Sequence, residues 1–261
     1  MVNVLILSAG LGTRLKPLTN STPKALVKFK GKPLIDFQLQ HFLKNTKIKK
    51  IFIATGYKKE KFEIYKNVKK ISLIQIPEFK KKSMLFTMMY SLKKIGIAED
   101  IIISYGDIIY NSKIANKILN CKNSLSTIFL TSFLKLWKLR FKKNYLHDLE
   151  TFEIDKNYFI KNIGSKAKNT LYLQGQYVGI SKIKKNFLSK IFKFYKTNLI
   201  KYDLNKKDIT FFFNLLANNK FKIKGLPVLN GWLEFDTFED WKVYEKYNLK
   251  KNKIFNVNEF F

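Results

Sequence analysis

The chain has 261 residues, 46% hydrophobic and 15% aromatic, enough to bury one full α/β core, and no apolar run reaches the length of a membrane span. Its formal charge of +31 invites a nucleic-acid reading, but only Arg14 and Arg140 are arginine, and the lysines are spread along the chain among Asn, Ile, Phe and Tyr rather than clustered. No specific nucleic-acid or membrane partner is therefore expected, although nonspecific polyanion binding at low salt is. A single cysteine, Cys121, rules out an internal disulfide and argues against a structural zinc cluster. The amino terminus enters a strand without a signal-like arrangement, so the expectation is a cytoplasmic enzyme.

The apolar run at residues 2–7 ends in Ser8-Ala9-Gly10-Leu11-Gly12-Thr13, followed by Arg14 and, further on, Pro23-Lys24. These small residues let backbone N–H groups approach an anion closely, and Arg14 and Lys24 supply the charge that neutralises a triphosphate. A dinucleotide fingerprint would need glycine where Leu15 stands, and Gly12-Thr13-Arg14 lacks the Gly-Lys-Ser/Thr of a Walker loop. The rival reading is a strand and tight turn with no ligand, which explains the glycines but not the spaced basic residues. Residues 33–45 then predict a helix started by Pro33, and residues 49–57 a buried strand ending in Gly56-Tyr57. That order is a βαβ opening, which implies parallel strands and brings Gly56 and Tyr57 toward the crevice shared with Gly10 and Gly12.

Residues 72–77 predict a third strand, followed by a lysine-rich loop and a helix through Met88, Met89 and Leu92. Ile101-Ile102-Ile103 predicts a central strand that projects Asp107, with Gly106 leaving room beside it. A carboxylate facing a triphosphate requires a cation between them, and Mg²⁺ suits that task; the alternative is a turn-forming aspartate. Residues 125–134 predict a strand, residues 136–141 an excursion, and residues 148–153 and 171–180 further strands. Arg140 is read as a planar-recognition residue, with a surface salt bridge as the rival. Asp208 caps a helix to about Asn218, a strand spans residues 221–228, and Glu234 and Asp236 fall on one side of an extended segment, where two carboxylates become tolerable beside a cation. A helix follows at residues 237–247. With no repeat or linker, the economical division is one domain over residues 1–247, containing an excursion at 120–180, and a tail at 248–261 that docks on a partner subunit if the chain forms a homo-oligomer.

Gly10-Leu11-Gly12-Thr13-Arg14-Leu15 followed by Pro23-Lys24 resembles the signature of nucleotidyltransferases that act on sugar phosphates and related small phosphates. Many members carry alanine or glycine where this chain has Ser8. The resemblance implies the nucleotide-diphospho-sugar transferase fold: a Rossmann-like, mostly parallel central sheet flanked by helices, with an inserted antiparallel substrate-binding portion. It implies that Ser8, Ala9, Gly10, Gly12, Thr13, Gly56, Tyr57, Ser83 and Gly106 lie along the nucleotide, and that Lys166 faces the acceptor phosphate. Arg140, Gln176 and Tyr177 complete the expected acceptor side. Gly106-Asp107 and Trp232-Leu233-Glu234-Phe235-Asp236 match the family's metal-binding elements, so Asp107, Glu234 and Asp236 are expected to hold Mg²⁺.

The combined expectation is attack of an ionised phosphate or phosphonate on the α-phosphorus of a nucleoside triphosphate, with pyrophosphate leaving and no general base required. Arg14 is assigned to the β/γ-phosphates and Lys24 to the α-phosphate and acceptor. The run Pro23-Lys24-Ala25-Leu26-Val27, with the motifs above, most resembles the phosphocholine- and aminoethylphosphonate-type cytidylyltransferases, which implies CTP and a small phosphorylated acceptor destined for a cell-surface glycan. The aromatics Tyr110, Trp137, Tyr177 and Trp232 are the candidates for a cage around a quaternary ammonium, or else core. Two other readings remain at this stage: a hexose-1-phosphate uridylyl-, thymidylyl- or cytidylyltransferase, and a non-catalytic nucleotide-binding regulatory subunit.

Overall fold

A computed structural model of the protein describes residues 1–246. The tail at 248–261 and its expected docking role lie outside the described residues, as does Tyr247. Strand β1 (Val2–Ser8) is buried along its whole length, which is why its seven residues are almost continuously apolar rather than alternating. Two short strands, β2 (Lys28–Phe29) and β3 (Lys32–Pro33), form a small ribbon, and Pro33 caps α1 (Leu34–Phe42). Strands β4 (Ile48–Thr55) and β5 (Ile71–Gln75), helix α2 (Met84–Ile95), and strands β6 (Asp100–Tyr105) and β7 (Ile108–Tyr110) follow. Helix α3 (Ser112–Asn120) leads to β8 (Leu125–Leu130). The strand expected through residue 134 stops at Leu130, and the chain turns into α4 (Phe133–Phe141). The remaining elements are β9 (Glu150–Ile154), β10 (Ile160–Lys166), β11 (Gln176–Ile183), α5 (Lys185–Asn198), α6 (Ile209–Asn218), β12 (Lys224–Val228), β13 (Trp232–Glu234) and α7 (Phe238–Lys246).

Seven strands form the central sheet in the order β12-β8-β11-β6-β1-β4-β5. Neighbours are parallel except at β11, which runs antiparallel to both β6 and β8. Alternation along β1 sends its side chains to two apolar layers. Val4 and Ile6 belong to the apolar layer that includes Phe37 of α1 and Ile118 of α3, whereas Leu5 and Leu7 belong to the layer that includes Met88 of α2 and Phe212 of α6. The excursion carries the antiparallel β9–β10 ribbon, which lies on α6, where the Asn214 side chain accepts the Ile163 N–H at 3.2 Å. No helix among the described residues is long and apolar enough to cross a membrane.

One further ribbon positions the chemistry. β7 pairs antiparallel with β13, opposing Ile108 to Glu234 and Tyr110 to Trp232. Immediately beyond that register, the Phe235 N–H donates to the Asp107 carbonyl at 2.9 Å. Two acidic segments more than a hundred residues apart in sequence are thereby locked side by side.

Candidate active site

A cleft of about 490 Å³ opens over the carboxyl ends of β1 and β6, where parallel sheets present ligand-binding loops. One wall is the glycine loop. Gly12 adopts φ +64°, a left-handed conformation that glycine accepts without strain, and its carbonyl accepts the Thr19 hydroxyl at 2.8 Å. The opposite wall begins at Gly106, where a methyl group would come within 2.3 Å of Ser8 Oγ and 2.7 Å of the Leu7 carbonyl. Glycine is needed there because β1 and β6 end against each other. Ser8 Oγ is buried with no hydrogen-bond partner among the described residues.

At the centre, Lys24 Nζ lies 2.6 Å from Asp107 Oδ2 and 2.9 Å from Asp236 Oδ1, while Arg14 Nη1 lies 2.7 Å from the other oxygen of Asp236. Burial alone would lower the Lys24 pKa, but Asp107 and Asp236 outweigh it and hold the ammonium above the ordinary lysine value. Burial likewise works against the Asp236 carboxylate, and Lys24 and Arg14 overcome it to keep its pKa low. Glu234 differs. Burial pushes it up to about 8 despite Arg140, with Asp236 and Asp107 adding repulsion.

Among the described residues, no three His, Cys, Asp or Glu side chains converge as a preformed metal centre. A two-carboxylate site does fit a hard cation. Lys24 already places positive charge between Asp107 and Asp236, and Asp107 Oδ1 is buried with no partner. Mg²⁺ commonly takes one or two carboxylates and fills its octahedron with phosphate oxygens and water. Glu234 lines the same cleft but has its carboxylate 3.1 Å from Arg140 Nη1.

Of the nucleotide-side residues, Ser8, Gly10, Gly12, Thr13 and Gly106 line the cleft, as do Arg14 and Lys24. Ala9, Gly56, Tyr57 and Ser83 do not. Gly56 is glycine because a side chain would strike the Ala9 carbonyl at 2.5 Å and Phe79 at 2.7 Å. The Tyr57 hydroxyl donates to the carbonyls of Thr19 and Asn20, at 3.0 and 2.8 Å, and so braces the glycine loop from outside. Ser83 caps α2 by accepting the Phe86 N–H at 3.2 Å.

The acceptor side needs larger correction. Arg140 neither faces an acceptor nor forms a surface salt bridge, since its buried guanidinium is spent on Asp240 and Glu234. Lys166 is exposed at the end of β10 and is not part of the cleft wall. Gln176 does line the cleft, but its amide is occupied by β9, donating to the Glu150 carbonyl at 2.6 Å and accepting the Glu150 N–H at 3.1 Å. Tyr177 lines the cleft with its hydroxyl 3.1 Å from Ser181 Oγ. Tyr110 and Trp232 are core residues, and Trp232 stacks on Trp137 at 6.1 Å. Of the four cage candidates, only Trp137 and Tyr177 reach the cleft.

Sequence reasoning missed Asp148, Glu150 and Thr210 as wall residues, and read Asp208 only as a cap. Asp208 is a cap, accepting the Phe211 N–H at 2.8 Å, but it also faces the cleft. Burial, with Asp208 adding, pushes the Glu150 carboxyl up to about 7. A signal was present: the i, i+2 carboxylate spacing of Glu234 and Asp236 recurs at Asp148 and Glu150.

The sequence pattern described as nucleotidyl transferase matches residues 3–138. The chain is 33% identical over 252 residues to the CTP:phosphoglutamine cytidylyltransferase of Campylobacter jejuni, covering 93% of this chain and 98% of that one. Its fold superposes on the CTP:phosphocholine cytidylyltransferase of Streptococcus pneumoniae with a TM-score of 0.71 at 20% identity, over 94% of this chain and 98% of that one. It also superposes on the inositol-1-phosphate CTP transferase of T. maritima with a TM-score of 0.70 at 13% identity, over 94% and 95% of the two chains. The central sheet, its flanking helices and the antiparallel excursion are those of the nucleotide-diphospho-sugar transferase fold, and the chain belongs to the nucleotidyl transferase family.

Proposed function

We propose that this protein transfers the cytidylyl group of CTP to a small phosphorylated acceptor and releases pyrophosphate. The observation that carries the reading is the alternation of charge at one point of the cleft, where Arg14 and Lys24 beside the glycine loop meet Asp107 and Asp236 on the opposite wall. A triphosphate seated on the loop finds both cations within reach, and a divalent cation finds both carboxylates. The relatives named above, which act with CTP on phosphoglutamine, phosphocholine and inositol 1-phosphate, support CTP and a small acceptor.

In this reading the Gly10 to Thr13 backbone and Arg14 hold the β- and γ-phosphates, and Lys24 moves its charge onto the α-phosphate and acceptor phosphate. An acceptor oxygen forms a bond to the α-phosphorus while the bond to the bridging β-phosphate oxygen breaks. Pyrophosphate carries away the displaced electron pair. The nucleophile is already ionised, so positioning and neutralisation provide the acceleration, and no base is required. Mg²⁺ held by Asp107 and Asp236, with Glu234 behind them, would supply charge neutralisation on the phosphates. The product is an activated cytidine diphosphate derivative of a kind suited to cytoplasmic supply of cell-surface glycan assembly.

The test is pyrophosphate release with Mg²⁺, using CTP, UTP, dTTP, ATP and GTP against phosphocholine, aminoethylphosphonate, phosphorylated glutamine, polyol phosphates and hexose 1-phosphates. Release with CTP and one small phosphate is expected. Turnover confined to UTP or dTTP with a hexose 1-phosphate would replace the substrate assignment. Silence throughout, with no stabilisation by CTP against heat, would overturn the enzyme reading.

A further inference from the structure

Arg140 is one of only two arginines in a chain that otherwise draws its positive charge from lysine, and its side chain has no exposed surface. Helix α4 carries it beneath the cleft, where the guanidinium carbon lies 5.1 Å from the centre of the Trp137 ring and 4.7 Å from that of Phe141. The fork closes on Asp240, with Nε 2.9 Å from one carboxylate oxygen and Nη2 3.1 Å from the other. Nη1 faces Glu234 at 3.1 Å.

Asp240 passes this constraint onward. The oxygen that receives Nη2 also accepts the backbone N–H groups of Asp236 and Thr237, at 3.1 and 2.8 Å. The Asp240 N–H in turn donates to Thr237 Oγ1 at 3.1 Å, closing a reciprocal cap on α7. One guanidinium therefore touches the side chain of Glu234 directly and reaches the backbone of Asp236 through a single carboxylate. Asp236 then meets Lys24 and Arg14 in the cleft.

We propose that Arg140 is a positioning residue for the transfer, fixing from behind the two acidic side chains that β13 and the turn after it present to the cleft. Burying a guanidinium is unfavourable unless its charge is paired; Asp240 accepts hydrogen bonds from Nε and Nη2, and Nη1, which has no hydrogen-bond partner among the described residues, lies at ion-pair distance from Glu234. A lysine ammonium is a point charge and cannot span both oxygens of Asp240 while facing Glu234, which accounts for arginine at this position in a lysine-rich chain. The inference rests on the reading of Asp107 and Asp236 as the cation-bearing carboxylates and extends it one layer outward.

The test compares the full-length wild type with Arg140→Lys and Asp240→Asn. Thermal melts fix the folded fraction, Mn²⁺ binding is followed by the paramagnetic resonance of the free ion with CTP present, and CTP KM and kcat are measured separately. Residues that orient metal-binding groups typically cost roughly 10- to 100-fold in affinity or activity when changed. Arg140→Lys is expected to lower kcat and Mn²⁺ affinity within that range while CTP KM moves less than about threefold, the split produced by losing an interaction made mainly in the transition state. Asp240→Asn is expected to move both in the same direction.

Unchanged kcat and Mn²⁺ affinity per folded molecule, beside a lowered melting temperature, would overturn the proposal and reduce Arg140 to a link between α4 and α7. If neither variant folds, Phe141→Leu carries the test, because it removes one of the two aromatic rings beside the guanidinium and no ionised group. A fall of about twofold or more in Mn²⁺ affinity would support the proposal, and no change would overturn it. A wild type that neither binds Mn²⁺ nor turns over defeats the underlying site reading, an outcome distinct from an active wild type with insensitive variants.

Discussion

Replacing Lys24 by methionine keeps most of the side-chain length and removes the charge that joins the two walls of the cleft. The side chains involved are only 16% (Lys24), 15% (Asp107) and 10% (Asp236) exposed, so the interaction belongs with buried pairs rather than with exposed ones worth at most about 1 kcal/mol. Deleting one partner of a buried pair costs roughly 3–5 kcal/mol, because an uncompensated charge stays behind. Arg14 still reaches Asp236 and the cleft admits water, which favours the lower figure, about 3 kcal/mol. For a chain of this size, that lowers the melting temperature by about 6–12 °C. A divalent cation then has two carboxylates and no ammonium to displace, so Mg²⁺ should stabilise the variant more than the wild type. Differential scanning calorimetry with and without MgCl₂ at constant ionic strength measures both quantities. A variant melting within about 2 °C of the wild type, or an equal response of the two proteins to Mg²⁺, would refute the claim that Lys24 holds the cation position.

Asp107→Asn should abolish Mg²⁺-dependent pyrophosphate release, lowering kcat by at least about 100-fold with the circular dichroism unchanged. Arg14 is 69% exposed, so Arg14→Ala should leave stability within about 1 kcal/mol while weakening CTP binding in calorimetric titration, a separation of effects that Lys24→Met should not show. Glu150 has its pKa raised from 4.5 to about 7, so between those values the native state holds a proton the unfolded chain has lost, and stability falls as pH rises through that window. Allowing for partial exposure, the loss is about 2 kcal/mol. Melts at pH 5 and pH 8 should show Glu150→Gln gaining on the wild type by about 4–8 °C at the higher pH, and parallel profiles would contradict the assignment.

The glycine loop and Asp107 were legible in the sequence because local chemistry dictates them. Val2–Ser8 is apolar along its length because both faces are covered, and it must end in small residues where β6 ends beside it. Arg140 was not legible. Its partner Asp240 is a hundred positions away, and Phe-Leu-Lys-Leu-Trp-Lys-Leu-Arg-Phe gives no sign of which face of α4 will be buried. The end of β8 was misjudged for a related reason: residues 125–134 are apolar enough to read as one strand, whereas the chain turns at Thr131 and Ser132 into a helix. At Gly56 the sequence shows the glycine but not its packing reason, since the Ala9 carbonyl and Phe79 that demand the space come from elsewhere in the chain.

The separation of Asp107 and Asp236 is set by backbone, not by the side chains themselves. The β7–β13 register and the Phe235 N–H to Asp107 carbonyl bond hold the two segments at one height, so that a single ammonium spans both carboxylates. Slipping β13 by one residue would send Glu234 to the opposite face of the ribbon and replace it at that place with Leu233 or Phe235. Those two are fully buried, and exposing them at the cleft while burying carboxylates in the core would be opposed from both directions. The same alternation that packs Leu233 and Phe235 inward therefore keeps the acidic residues facing the cleft. Core packing and the placement of the cleft carboxylates are specified together by one short run of sequence.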